Sequence, residues 1–138
     1  MRSDVHTTVG AIIAIQDDGV EKILLTRRNV EPFRGQWCLP GGHIDRFETA
    51  RDAVIREVEE ETGLVFEPLF FNYFDEVIQD RDIHNVVLIF TGTASGSLIP
   101  QETEVSEIGW FSLSEAQALD LAFRHDVIIA AYANAAGQ

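Results

Sequence analysis

The sequence predicts an α/β fold, a mixed sheet held between helices, and three observations carry that prediction. Apolar, β-branched runs recur between turn residues along much of the chain. A strongly helical segment with signals at both ends, Ala50–Thr62, interrupts them, and a second helical pattern closes the chain. At 138 residues, with no repeat, low-complexity tract or Pro/Ser linker, residues 1–138 read as a single domain.

His6–Gln16 (HTTVGAIIAIQ) reads as a buried strand, turned by Asp17-Asp18-Gly19 into the returning strand Lys22–Arg27. Asn29–Gln36, with Pro32 and Gly35, is a polar loop. Trp37-Cys38-Leu39 is a short strand stopped by Pro40-Gly41-Gly42. In the helix that follows, Thr49-Ala50-Arg51-Asp52 has the form of a capping box, its hydroxyl and carboxylate satisfying free amides of the first turn. Gly63 stands where a left-handed C-terminal cap belongs. Leu69–Ile78 and Asn85–Thr93 read as a strand pair across the charged turn Gln79-Asp80-Arg81-Asp82. Gly92–Gly96 breaks the second strand, and Glu107–Phe111 supplies a further short one. Ser114 is expected to cap a short helix. A terminal helix is expected over Leu121–Asn134, with Val127, Ile128, Ala131 and Tyr132 at helical spacing.

Composition narrows the function. With 46% hydrophobic and 24% charged residues the chain has the balance of a soluble globular protein. The start shows no apolar run behind a basic segment, the longest apolar stretches are far too short to span a bilayer, and Cys38 alone excludes an internal disulfide. A cytoplasmic location is expected. The net charge of -13, from 23 acidic against 10 basic residues, repels nucleic-acid backbones and anionic membranes. The charge either serves solubility alone or marks acids concentrated where they collect cations, in which case an anionic substrate would be reached through a metal and a few placed arginines.

The helix Ala50–Thr62 holds the most informative pattern. At about 100° per residue, with Glu57 as reference, Ala50, Ala53 and Val54 point within roughly 60° of it. Glu60 and Glu61 lie about 60° to one side and 40° to the other, so three glutamates continue a stripe that begins apolar; Glu59 points away. Like charges at this spacing repel, and partial burial makes each worse. Such a cluster is either a solvated acidic helix end or a set of oxygen ligands for Mg²⁺ or Mn²⁺.

The complete spacing decides between them. Gly42, five residues, Glu48, seven residues, then Arg56-Glu57-Val58-Glu59-Glu60-Glu61-Thr62-Gly63-Leu64 resembles the Nudix box, a 23-residue pattern matched at every defined position. The Leu39-Pro40-Gly41-Gly42 lead-in is also similar to that family. The resemblance implies an α/β/α sandwich and a Mg²⁺-dependent (or Mn²⁺-dependent) pyrophosphohydrolase. Its substrate would be a small nucleotide: a nucleotide sugar, ADP-ribose or a free nucleotide. It implies Glu57, Glu60 and Glu61 as metal ligands, with the Gly42 carbonyl beside them. Glu48 and Arg56 form a supporting ion pair. The base that takes the proton of the attacking water is then Glu57 or a carboxylate of Pro100–Glu107, with Glu104 ahead of Glu102. A nucleotide-sensing module without turnover and an RNA 5′-end pyrophosphohydrolase are the alternatives; no membrane or nucleic-acid partner is expected, and a homodimer is compatible with the reading.

Weaker signals surround the box. Arg27, Arg28 and Arg34 are expected to balance substrate charge. His6, His43, His84 and His125 have no ligand spacing, which argues against a histidine metal site. His43, after the two glycines, stands close to the expected substrate. Cys38 reads as a small core residue, Trp37 as core or pocket wall, and Phe70–Phe74 as core rather than a stacking surface. Neither the proline nor the tyrosine that marks some Nudix subgroups follows the box at Ile78-Gln79-Asp80-Arg81. Leu121-Ala122-Phe123-Arg124-His125 is somewhat similar to ADP-ribose-handling relatives. Arg46-Phe47 stands where many relatives have a glycine.

Overall fold

The computed structural model describes residues 4–99 and 103–136. In chain order its elements are β1 (His6–Asp17), β2 (Val20–Arg28), β3 (Trp37–Cys38), β4 (Gly41–His43), α1 (Ala50–Thr62) and β5 (Val65–Ile78). After the 3₁₀ turn Gln79–Arg81 come β6 (Ile83–Ser95), β7 (Val105–Ser112), α2 (Leu113–Gln117) and α3 (His125–Ala136). The strands form a mixed sheet in the order β3-β2-β1-β6-β5, with β4 also on β1 and β7 also on β2.

β1 is the strand on which the sheet divides. Its first half pairs in parallel with β6, from His6↔Asn85 to Ile13↔Gly92, and antiparallel with β4, Thr8↔His43 to Gly10↔Gly41. Only its far end, Ala14–Asp17, pairs with β2. The two ladders therefore diverge, and the Leu39–Gly42 segment lies between them.

Alternation along β1 serves two layers. Ala11 and Ile13 pack with Val54, Val58 and Phe66 on the α1 side, whereas Ile12 packs with Leu25, Ile128 and Ile129 on the α3 side. Each such fully buried aliphatic side chain stabilises the fold by about 2 kcal/mol. The expected α/β/α layering is thus present.

Several expectations need correction. Gly41-Gly42 does not simply stop a strand: it begins β4, because β1 offers an open ladder at Val9 and Gly10. Gly92 does not break β6, which runs on to Ser95. It admits the Glu67 carbonyl, which a Cβ at Gly92 would meet at 2.1 Å. The strand expected from Leu69 begins at Val65. Ser112, not Ser114, caps α2: its hydroxyl accepts from the Glu115 amide while Glu115 Oε1 accepts from the Ser112 amide. At α1 the threonine arm of the expected box forms, Thr49 Oγ1 accepting from the Asp52 amide at 3.1 Å. Gly63 caps the helix with φ 80°. The terminal helix begins at His125 rather than Leu121, because Leu121 bridges to Trp37 and the Ala122 amide donates to the Trp37 carbonyl.

Candidate active site

The divergence of the two ladders leaves a cavity of about 760 Å³. Its wall takes in Thr8 and Val9 of β1, Thr26 and Arg28 of β2, Gly41 and Gly42 of β4, Glu57 and Glu61 of α1, and Glu76, Asn85, Glu104, Phe123 and His125.

The helix presents its carboxylates unequally. Its buried residues are Ala53, Val54, Val58, Glu61 and Thr62. At about 100° per residue their mean direction lies some 60° from Glu57 on the Glu61 side. The inward face is therefore turned from the one centred on Glu57, which sends Glu61 inward and Glu60 to the rim. Glu61 is 8% exposed. Its Oε1 accepts from the Gly41 amide at 3.3 Å, and its carboxyl is in hydrogen-bonding contact with that of Glu57. Burial first, then the Glu57 charge, raises the Glu61 pKa well above the ordinary carboxylate range. Burial also raises that of Glu57, against the pull of Arg56. Two carboxyls that resist ionising side by side are stabilised either by a shared proton or by a cation.

Arg56 organises the outer side of this pair. Its Nε donates to Glu48 Oε2 at 2.8 Å and its Nη2 to Glu48 Oε1 at 3.0 Å, a two-point contact. Its Nη1 donates to Glu60 Oε1 at 3.0 Å and Glu57 Oε2 at 3.3 Å, and Nη2 also reaches the His43 carbonyl at 3.1 Å. The guanidinium holds the Glu48 carboxyl below its usual range. Arg56 thus ties the loop after β4 to the helix.

The remaining rim is aromatic and cationic. Arg28 is the one lysine or arginine among the described residues lining the cavity. Its Nε donates to the Pro32 carbonyl at 2.6 Å, and its Cζ sits 5.0 Å from the centre of the Phe123 ring. Phe123 meets Phe33 at 4.9 Å, and Arg81 covers Phe33 at 4.1 Å. Four side chains thus stack across three loops at the mouth.

Hard oxygen donors, a glycine whose missing Cβ leaves room for Glu57, and acids that resist ionising alone together fit a small divalent cation. Glu57 and Glu61 with the Gly42 carbonyl are the residues that could hold it. Among the described residues no third acidic, histidine or cysteine side chain is gathered with them at ligand spacing. Water and phosphate oxygens complete such a shell for Mg²⁺.

A family profile described as the NUDIX domain matches residues 5–132. The chain belongs to the Nudix hydrolase family. It is 32% identical over 124 residues to an ADP-ribose pyrophosphatase of Methanocaldococcus jannaschii, covering 86% of this chain and 72% of that one. A MutT Nudix hydrolase from Burkholderia pseudomallei is similar in structure, with TM-score 0.81, 28% identity and coverage of 91% and 96% of the two chains. The Nudix domain of Shewanella oneidensis NrtR, solved with ADP ribose, is similar with TM-score 0.76, 27% identity and coverage of 91% and 84%.

Within this Nudix domain the expected residues fall into two groups. Gly42, Glu57, Glu61, Glu104 and Arg28 line the cavity together. Glu48, Arg56 and Glu60 form the ion-pair network behind it. Arg27 instead pairs with Glu107 at 2.7 Å, and Arg34 bonds the Asn29 carbonyl and Glu31, both outside the cavity wall. Glu102 lies outside the described residues. His43 lines the cavity with His6, their rings 5.2 Å apart, and burial lowers its pKa. Cys38 is buried with its thiol pushed up to about 11. Trp37 packs on Phe111, and Phe71 packs on Tyr132 at the edge of the core. Phe70 and Tyr73, of the stretch expected to be core, are instead exposed, because alternate residues of β5 face outward.

Two cavity residues, Glu76 and Asn85, had no sequence signal. A bulge at Phe71 shifts the pairing of β5 with β6 by one residue, which puts Glu76 opposite Asn85 on the cavity face.

Proposed function

We propose that this Nudix domain is a Mg²⁺-dependent hydrolase of the pyrophosphate bond in a nucleoside diphosphate derivative, with Mn²⁺ as the alternative ion. One observation carries the proposal: the paired carboxyls of Glu57 and Glu61, crowded beside Gly42 in a cavity whose one lysine or arginine among the described residues is Arg28. The M. jannaschii relative and the ADP-ribose-bound neighbour support ADP-ribose as the first candidate substrate, ahead of nucleotide sugars and free nucleotides.

In this reading Glu57 and Glu61, with the Gly42 carbonyl, would hold the cation, and Glu60, paired with Arg56, would be a further ligand only if it gave up that ion pair. The bound ion would supply charge neutralisation of the pyrophosphate and a more acidic water. Arg28 meets the phosphate charge the ion leaves uncompensated, with a planar donor set suited to it. Glu57, or Glu104 from across the cavity, takes the proton from the attacking water. Glu48 and Arg56 keep the helix and the β4 loop in register and do not touch substrate.

A nucleotide sensor without turnover is the second reading, supported by the likeness to the ADP-ribose-bound domain; the intact glutamates of the box count against it. The deciding experiment is a panel of ADP-ribose, nucleotide sugars and nucleoside triphosphates, with chromatographic product detection in Mg²⁺, Mn²⁺ or EDTA. Metal-dependent cleavage between the phosphorus atoms is expected. Tight binding of ADP-ribose with no turnover in either metal would favour the sensor, and full-rate hydrolysis in EDTA would remove the metal role.

A further inference from the structure

The C-terminal segment enters the site through one buried imidazole. His125 is 8% exposed, and its Nδ1 accepts a hydrogen bond from the Leu39 amide at 3.0 Å. A nitrogen that accepts from an amide carries no proton, so the neutral ring holds its proton on Nε2. That atom stands 3.6 Å from Glu76 Oε2, a buried oxygen with no hydrogen-bond partner. Glu76 Oε1 is itself held by Asn85 Nδ2 at 3.2 Å, across the β5–β6 ladder. The ring is thus set between a carboxylate anchored in the sheet and the first amide of Leu39-Pro40-Gly41-Gly42.

A second link fixes the same segment. The Ala122 amide donates to the Trp37 carbonyl at 2.9 Å, and the His125 amide donates to the Ala122 carbonyl at 3.1 Å. Residues 122 and 125 therefore grip residues 37 and 39, just ahead of the turn from which Gly41 reaches Glu61 and Gly42 borders Glu57.

We infer that His125 is a positioning residue for the carboxylate site, holding the Leu39–Gly42 turn against α1 through the Leu39 amide. It touches neither the carboxylates nor the scissile bond. Its tie to the metal rests on the proposed function, whereas its tie to the Leu39 amide does not. Removing it frees the turn, so the cation is held less well while the substrate contacts at Arg28 persist. Loss of a buried group that orients a metal site weakens metal affinity or activity by about 10- to 100-fold.

Three measurements on the full chain test this. In ¹⁵N spectra of the imidazoles, His125 should show an unprotonated Nδ1 and a protonated Nε2, with no titration between about pH 5 and 8. His125→Leu should speed exchange of the Leu39 amide by at least about tenfold and raise the Mg²⁺ concentration for half-maximal turnover by about tenfold or more. At saturating metal its KM should stay within about threefold of the parent. His125→Asn, which keeps an acceptor near the Nδ1 position, should recover most of both losses. A ring protonated on Nδ1, or a leucine variant with parental exchange and metal requirement, overturns the inference. If the leucine variant does not fold, an asparagine variant with an unprotected Leu39 amide overturns it equally. A parent that cleaves no pyrophosphate in the panel defeats the proposed function, and the spectrum and exchange data still decide the brace.

Discussion

The carboxylate of Glu57 occupies the space that a methyl group on Gly42 would need: a Cβ built there would lie 2.4 Å from Oε2. The obstacle is the tip of a flexible side chain, so the backbone can accept alanine while the carboxylate cannot keep its place. Gly42→Ala should therefore fold with a melting temperature within a few degrees of the parent and lose at least about tenfold in turnover, the scale for disturbing a positioned group. Thermal melts and initial rates on the same preparation check this; a parental rate would show that Glu57 acts from another position.

The unequal presentation of the helix glutamates predicts an unequal response to neutralisation. Glu57→Gln and Glu61→Gln should each cut turnover by at least about a hundredfold, the scale of a lost base or ligand. Glu59→Gln should stay within a few-fold. Steady-state kinetics at saturating Mg²⁺ give the comparison, and equal sensitivity of Glu59 and Glu57 would remove the argument from the helix face.

Without a cation, the same pair should make stability fall with pH. The folded-state pKa of Glu61 is raised above its unfolded value, first by burial and then by Glu57. The sign follows: the pair's contribution is complete below about pH 4.5 and is lost as pH rises through the higher folded value. In EDTA, Glu61→Gln should melt several degrees above the parent at pH 7.5, with the gap closing toward pH 4.5. Mg²⁺ at about a hundred times its dissociation constant should stabilise the parent by roughly 2.7 kcal/mol and the variant by much less. Calcium is expected to stabilise without supporting turnover, since its looser coordination positions water poorly. Melting curves that coincide in Mg²⁺, Ca²⁺ and EDTA would identify a solvated acidic face.

Among the arginines before the box, position in the fold separates one from the others. Arg28→Gln should raise KM by about tenfold or more with a smaller change in kcat, the loss of a charged contact to phosphate. Arg34→Gln, whose partners are Asn29 and Glu31, should remain within about twofold. Saturation kinetics with ADP-ribose, or the best substrate of the panel, test the pair.

What the sequence made legible was local. The helix Ala50–Thr62, its threonine cap and its glycine stop are all written within a few residues of one another, and the structure reproduces their bounds. The box spacing gave the family for the same reason. The pieces that were illegible depend on partners far along the chain. β4 forms because β1 lies beside it, and the Leu121–Phe123 stretch leaves the helix because Trp37 takes its hydrogen bonds. Arg27 and Arg28 are neighbours on β2, and the irregularity between them in the ladder with β7, a distant strand, accompanies the turn of Arg28 rather than Arg27 to the cavity. Glu76 was hidden by the bulge at Phe71, since a period of two read straight through the strand assigns it to the opposite face.

The division of the sheet at β1 separates two kinds of change open to this chain. The floor of the cleft is set by backbone ladders on both sides, so its width near Glu57 and Glu61 cannot drift without breaking pairings that hold the whole domain. The mouth is built from three loops joined by the stacked side chains of Arg81, Phe33, Phe123 and Arg28, with Gln36 also donating to Asp120. Substitutions there can reshape what enters while leaving bond cleavage intact. Selection for a new substrate would thus be written into the loops, and drift in the ladders would be removed as misfolding before it could change the chemistry.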